Sequence, residues 1–150
     1  MLAVEKIITS KLLKPGANKQ IATIDRHMGV VSSGLVPDGR HFVSRARDEA
    51  ASWRDIYKTP ISTAVLANRM GGYLQAYTLY SSVRPFGITA IVGGWDSELE
   101  HPVDGQVGSG PKIGAGGKEE GIKKGGPGLY MIEPSGLYWV GAAGFSLSRQ

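Results

Sequence analysis

The spacing of hydrophobic positions changes period twice along the chain. Met1–Lys6, Ile21–Asp25 and Met28–Ser33 are short apolar or alternating runs, separated by turn residues at Lys14-Pro15-Gly16, Arg26-His27 and Ser33-Gly34. Such runs between turn signals predict antiparallel strands. After Pro37 the spacing becomes helical: Phe42, Ala46, Ala50, Trp53 and Tyr57 recur at intervals of four, four, three and four. This places them on one face of a helix with Asp38 as N-cap and an end near Lys58. A second helix is predicted from near Ser62 to about Tyr80, with Leu66, Met70, Tyr73, Leu74 and Tyr77 on its apolar side and Pro85 enforcing its end. Gly71-Gly72 interrupts it. Adjacent helical glycines cost about 1 kcal/mol each relative to alanine and mark close packing against another backbone. Strand character returns at Gly87–Gly94, Leu129–Glu133 and Leu137–Val140, the last two joined by the turn Glu133-Pro-Ser-Gly136.

Strands, two consecutive helices, then strands predict an α+β layer fold in which a helix pair covers one face of an antiparallel sheet. Such a sheet needs cover on its other face, so the chain is expected to continue past Gln150. Met1 starts inside a predicted strand, so a first hairpin partner is expected to be missing before it. The 150 residues make one domain. No apolar run approaches the about 20 residues needed to cross a bilayer. Glycine is the outlier: there are 22, of which 12 fall between Gly93 and Gly128. From Ser97 to Gly128 the few apolar residues follow no period, which predicts a flexible surface insertion within the single domain 1–150. Its Gly114-Ala-Gly116-Gly117-Lys118 is followed by Glu119 rather than Ser or Thr, so no phosphate-binding loop is completed.

Charge and candidate chemistry narrow the function more by exclusion than by assignment. The formal charge is +4, from 17 basic and 13 acidic residues. Basic residues in the first half alternate with Asp38, Asp48, Glu49 and Asp55, the pattern of a solvated helix face rather than of a nucleic-acid groove. With no cysteine there is no disulfide framework, thiolate metal site or cysteine nucleophile. His27, His41 and His101 have no metal-ligand spacing. Ser32 and Ser33 miss the Gly-x-Ser-x-Gly elbow, and Asp48-Glu49 and Glu119-Glu120 are adjacent pairs with no common cleft implied. No cofactor and no catalytic centre emerge from the residues alone.

Several blocks nevertheless carry a family resemblance. Leu2–Leu13, Asp25-Arg-His27, Ser33-Gly-Leu35, Pro37-Asp-Gly-Arg-His41, Tyr77-Thr-Leu-Tyr-Ser-Ser-Val-Arg-Pro-Phe-Gly87 and Leu129-Tyr-Met-Ile-Glu-Pro-Ser-Gly136 together resemble the α-type subunits of the 20S proteasome. The block formed by Tyr80, Arg84, Pro85, Phe86 and Gly87 is similar to the one that marks α rather than β subunits, and the chain is most similar to the seventh-position subgroup of the eukaryotic ring. The resemblance implies the αββα four-layer sandwich of the N-terminal-nucleophile hydrolases, used without catalysis. It implies α-subunit neighbours in a ring, β subunits below, and regulatory particles or activators above a gated pore. It further implies work in ubiquitin-dependent protein degradation in the cytoplasm and nucleus, with no cofactor and no nucleic-acid or membrane partner. Catalysis in that family belongs to β subunits, which need a processed N-terminal threonine with a lysine beside it. Thr9, Thr23 and the other threonines are internal. The helix pair would form the lateral and ring-to-ring contact layer, with Trp53, Tyr57, Tyr73 and Tyr77 read first as core and second as interface. The family's activator-pocket lysine aligns at Gln20, with Lys19 beside it. The family's gating segment would precede Met1, and its later helices and strands would follow Gln150. Two alternatives stay open: an orphan chain that does not assemble, and a hydrolase of the same fold.

Overall fold

The computed structural model describes residues 1–5, 12, 14, 16, 19–97 and 125–141. Its elements run β1 (Ile21–Asp25), β2 (Met28–Gly34), α1 (Val36–Tyr57), α2 (Thr63–Ala76), β3 (Ile88–Asp96), β4 (Gly126–Ile132) and β5 (Tyr138–Val140). The strands form one sheet in the order β1-β2-β3-β4-β5, every neighbouring pair antiparallel. The expected α+β arrangement of an antiparallel sheet and two helices is therefore present.

Strand alternation decides which side chains meet the helices. Ile24 of β1, Met28 and Val30 of β2, Ile88, Ala90 and Val92 of β3 and Ile132 of β4 join Phe42, Ala46 and Ala50 of α1 and Leu66, Met70 and Leu74 of α2 in one buried cluster. The four-four-three-four face of α1 holds to the core only as far as Ala50. Trp53 is partly buried against the cluster, and Tyr57 is 52% exposed. Tyr73 and Tyr77 also pack against the core, so three of the four large aromatics serve it and Tyr57 does not.

Element ends differ from the sequence expectation where side chains compete for backbone groups. α1 begins at Val36 with Leu35 as an N-cap that makes no side-chain bond, so Asp38 lies inside the first turn rather than capping it. Pro37 fits this first turn because its fixed φ is already helical and its missing N–H would be unbonded there. Ser62 does cap α2, its Oγ accepting from the Val65 N–H at 3.3 Å. α2 stops at Ala76 rather than near Tyr80. There the Thr78 hydroxyl donates to the Gln75 carbonyl at 2.6 Å, and the Thr78 and Leu79 N–H groups close three-residue turns.

One strand reading and one glycine reading change. Met1–Glu5 adds no strand; Leu2 instead lies across the sheet, its methyls 3.3 Å from where a Cβ would stand on Gly29 and on Gly93. Side-chain-free positions on two adjacent strands leave room for one leucine, which favours packing over edge pairing. Gly126, Pro127 and Gly128, placed in the insertion by composition, belong to β4 and pair with Asp96, Trp95 and Gly94. Gly71 does mark close backbone packing: a Cβ there would stand 2.7 Å from the Gly136 carbonyl oxygen. Gly136 itself closes the β4–β5 turn at φ 86°, donating to the Glu133 carbonyl at 2.9 Å. Residues 98–124, including His101, the Gly114–Lys118 run, Glu119 and Glu120, lie outside the described residues, as does Thr9.

Candidate functional site

The block Tyr80–Gly87 leaves α2 and leads into β3, and its geometry turns on one arginine. Arg84 donates to both carboxylate oxygens of Asp38, Nη1 to Oδ2 at 2.7 Å and Nη2 to Oδ1 at 2.8 Å. The same Oδ2 accepts the Gly87 N–H at 2.9 Å, and Arg84 Nη1 also reaches the Pro85 carbonyl at 3.1 Å. A bidentate guanidinium–carboxylate pair fixes direction as well as distance, so this cluster ties the linker to the first turn of α1. The Arg84 guanidinium, the burial of the carboxylate and the Gly87 N–H act together on Asp38. The two donors prevail over burial and hold its carboxyl at about 2, below the ordinary 3.8.

The sequence sets up this approach with glycines at two points. The Leu35 N–H donates to the Gly87 carbonyl at 2.9 Å. Gly34 has φ 120°, and a Cβ there would stand 2.2 Å from the Gly87 oxygen, so no larger residue fits. Gly39, one residue after Asp38, sits where a Cβ would stand 2.6 Å from Ser32 Oγ, which lets the α1 start settle on β2.

Beside the ion pair, Phe86 plugs an aromatic cluster. It is 7% exposed and its ring centroid lies 5.5 Å from His41, 5.8 Å from Tyr73 and 4.8 Å from Tyr77. His41 Nε2 is 2.8 Å from Tyr73 Oη, which is 3.1 Å from Tyr77 Oη. Burial and the bond to Tyr77 push the Tyr73 hydroxyl up to about 12, so it stays protonated throughout the neutral range. Asp38, His41, Tyr77, Val83, Arg84 and Phe86 together line a shallow depression of about 390 Å³. Among the described residues its lining carries one carboxylate, Asp38, and that is engaged by Arg84 and Gly87.

The structure thus joins Arg84, Pro85, Phe86 and Gly87 into one cluster but leaves Tyr80 at its margin, 65% exposed. Lys19 and Gln20 are not part of it. Gln20 extends the β1 pairing by accepting from the Ser32 N–H at 2.9 Å, and Lys19 is exposed before it. Asp38, His41 and Tyr73 are members the sequence reading did not connect to the block. The Pro37–His41 run was the available signal, but its bond to Arg84 spans 46 residues and has no local trace.

Asp25-Arg-His27 forms a second tie. Arg54 of α1 donates to Asp25 Oδ2 at 2.6 Å, Arg26 N–H to Oδ1 at 2.7 Å, and His27 Nε2 lies 2.8 Å from the Ile61 carbonyl. Burial raises the Asp25 carboxyl, but the Arg26 N–H and Arg54 outweigh it and leave it below its ordinary value. One turn of the sheet thereby holds both the end of α1 and the α1–α2 linker. Thr63, the first residue of α2, gives its N–H to Asp96 Oδ1 at 3.0 Å and its hydroxyl to Oδ2. Among the described residues, Thr63 pairs with a carboxylate, while Lys14, Lys19 and Lys58 are exposed. Among the described residues, no group of three His, Cys, Asp or Glu side chains is arranged to hold a metal ion.

Comparison with known proteins places these ties in a family. The family model for the proteasome subunit matches residues 1–103. The chain is 47% identical over 139 residues to the probable proteasome subunit alpha type-7 of Schizosaccharomyces pombe, covering 93% of this chain and 44% of that protein. It is 49% identical over 139 residues to the probable proteasome subunit alpha type-7 of Saccharomyces cerevisiae, covering 93% of this chain and 39% of that protein. It is 45% identical over 139 residues to the proteasome subunit alpha type-3 of Acanthamoeba castellanii, covering 93% of this chain and 44% of that protein. The chain thus spans about two fifths of the length of these curated relatives. Since the matched residues include both Asp38 and the Arg84–Gly87 block, the chain belongs to the proteasome subunit family.

Proposed function

We propose that the chain serves as a noncatalytic structural subunit of the α ring of the 20S proteasome core. The observation that carries this reading is the α-type block itself: Arg84, Phe86 and Gly87 are engaged in holding the α1 start to the sheet, and the relatives it matches bear α-type names. In this reading the chain builds the ring, contacts α neighbours laterally and β subunits below, and helps gate substrate and receive regulators in ubiquitin-dependent degradation. Proteolysis belongs to the β subunits.

The sheet supports the four-layer sandwich as its setting. Across all five strands, Ile21, Val31, Ile91, Met131 and Trp139 stand in register on the face away from the helices. Val31 and Ile91 lie outside the helix-side core cluster and are buried, while Ile21 and Trp139 at the two ends of the row are 43% and 47% exposed. A continuous apolar row on a sheet face calls for a covering layer, and a second sheet supplies one of matching shape.

Native mass spectrometry of the tagged chain from its own cells tests the role. Recovery in a barrel with other α and β subunits is the expected result; recovery alone, or only with chaperones, would overturn it. We further propose that Lys19, rather than Gln20, offers the charge for an activator's C-terminal carboxylate, since an ammonium binds a carboxylate more strongly than an amide does. Lys19→Ala in the assembled particle is expected to weaken binding of an activator tail peptide about 10-fold, a loss of one charge-assisted contact. Unchanged affinity in a fluorescence-anisotropy titration would remove Lys19 from the pocket.

A further inference from the structure

The eight prolines of the chain give a single Ser/Thr-Pro dipeptide, Thr59-Pro60, and it falls in the linker between α1 and α2. Pro60 shapes the residue before it. Its ring disfavours helical backbone at Thr59 and biases it toward extended chain, and the position after Thr59 offers no N–H. α1 stops accordingly: Lys58 takes a left-handed conformation at φ 59°, and its N–H closes the last turn on the Arg54 carbonyl at 2.9 Å. Among the described residues Lys58 is the one non-glycine at positive φ, a strained conformation for a residue with a side chain.

The segment before Pro60 is open to solvent. Asp55, Ile56, Tyr57, Lys58 and Thr59 are all exposed, Ile56 by 70%. Among the described residues the Thr59 hydroxyl has no hydrogen-bond partner. Pro60 is half-buried and Ile61 fully buried, its carbonyl 2.8 Å from His27 Nε2. The linker is therefore pinned after the dipeptide and loose before it. Drawing residues 55–59 out into extended chain breaks the end of one helix and the Trp53–Tyr57 ring contact at 4.1 Å, and uncovers no member of the buried cluster. Exposed helix ends of this kind open locally at low cost.

An unpaired hydroxyl on extendable chain is a fitting phosphoryl acceptor, and Pro60 selects the enzyme. A transferase that hydrogen-bonds the N–H after its acceptor residue would be left with an unpaired group, whereas one with an apolar surface for the pyrrolidine ring gains from it. We propose that Thr59 is a phosphorylation site for a proline-directed protein kinase. The Thr59 hydroxyl oxygen bonds to the terminal phosphorus of a nucleoside triphosphate, and the bond from that phosphorus to the bridging oxygen breaks. The nucleoside diphosphate leaves with the electron pair, and the hydroxyl proton passes to the kinase's base. Charge sets the consequence. The phosphate adds nearly two negative charges just past the C-terminal end of α1, where the helix already carries negative partial charge. Asp55, four residues earlier, is a further like charge. The cations of this turn are already matched, Lys58 with Asp55 at 3.4 Å and Arg54 with Asp25 at 2.6 Å. The modification therefore loosens the last turn of α1. Neither step depends on assembly into a ring.

The tagged chain, purified from its own cells and treated with phosphatase, is to be incubated with a mitogen-activated protein kinase and ATP. A single phosphate is expected, mapped to Thr59 by tandem mass spectrometry. Thr59→Ser is expected to retain it, Thr59→Ala to abolish it, and Pro60→Ala to slow it at least about 10-fold, the scale of one lost specificity contact. Unfolding would speed the reaction, so a slower Pro60→Ala reads the ring itself. Thr59 left unmodified while a Thr-Pro control peptide is fully converted, or an unchanged rate in Pro60→Ala, overturns the proposal. The same phosphopeptide is expected in chain taken from cells with phosphatases inhibited, and its absence there overturns the proposal as well. In the phosphorylated chain the amides of residues 55–58 are expected to exchange with deuterium about 3-fold faster, the scale of one charge set against a helix end. Equal or slower exchange overturns the loosening.

Discussion

Gly128→Ala is expected to destabilise the chain by about 3 kcal/mol, at the upper end of what overpacking a tight site costs. An alanine Cβ would stand 1.9 Å from Thr63 Oγ1 and 2.7 Å from Thr63 Cβ. Thr63 has little freedom to retreat. Its N–H and hydroxyl are both committed to Asp96, and β-branching restricts its χ1 in the first turn of α2. The strand cannot yield easily either. Gly128 pairs with Gly94, where a Cβ would stand 2.5 Å from Met28 Cγ and 2.8 Å from the His27 carbonyl. Urea unfolding should show the loss as a lower midpoint with an unchanged slope. Thr63→Ala in the Gly128→Ala background removes the nearest clashing atom, Oγ1, but keeps the Cβ at 2.7 Å, so it should restore part of the loss, although alone it costs the hydroxyl bond to Asp96. A midpoint unmoved by Gly128→Ala would mean that α2 does not sit on β4 as described.

Asp38→Asn is expected to cost about 2 kcal/mol at neutral pH, the range for losing charge-assisted bonds at a largely buried acceptor. Asparagine keeps the shape but offers a single acceptor oxygen where three donated bonds converge. The effect should depend on pH with a definite sign. Asp38 titrates at about 2 in the folded chain, below its ordinary 3.8. A lowered folded value means that stability is fully present above about pH 4 and is lost as the pH falls from there through about 2. The difference between wild type and Asp38→Asn should therefore be large at pH 6 and shrink progressively below pH 4. Equal acid sensitivity in the two would assign the transition to other carboxylates, Asp25 with its Arg54 bond among them. Arg84→Lys provides the matching control: it keeps the charge but loses the fork that bonds both oxygens, so it should recover less than half of the pair's contribution.

These two sites mark the boundary between local and distant information. Periodicity located every element of the sheet except at the margins. Val30, Val92 and Ile132 alternate with outward residues, and the α1 face from Phe42 to Ala50 repeats every four, as the buried cluster requires. Margins failed where a particular bond intervened. Asp38 has the side chain of an N-cap but lies three residues past the N-cap Leu35, because Val36 and Pro37 already take the helical turn before it. α2 ended early because the Thr78 hydroxyl took the Gln75 carbonyl. Gly126 and Gly128 have linker composition, yet both lie in β4, and the missing side chain of Gly128 is what admits Thr63.

The candidate site divides in the same way. The residues Arg84, Pro85, Phe86 and Gly87 were legible as a motif, because their identities and order are properties of the string. What they do was not legible: Asp38 lies 46 residues away, and His41 and Tyr73 meet Phe86 only after α1 and α2 lie side by side on one sheet face. By itself the sequence determined the α+β class, the helix pair, the turn at Gly136 and the family, since each rests on local spacing or on residue identity. Only the tertiary structure decided that Asp38 is Arg84's partner rather than a cap, that Gly128 belongs to a strand, and that Gly71 is filled by a backbone while Gly72 faces open space. Each of those depends on which distant atom comes to stand a few ångströms away, and chain order does not encode that distance locally.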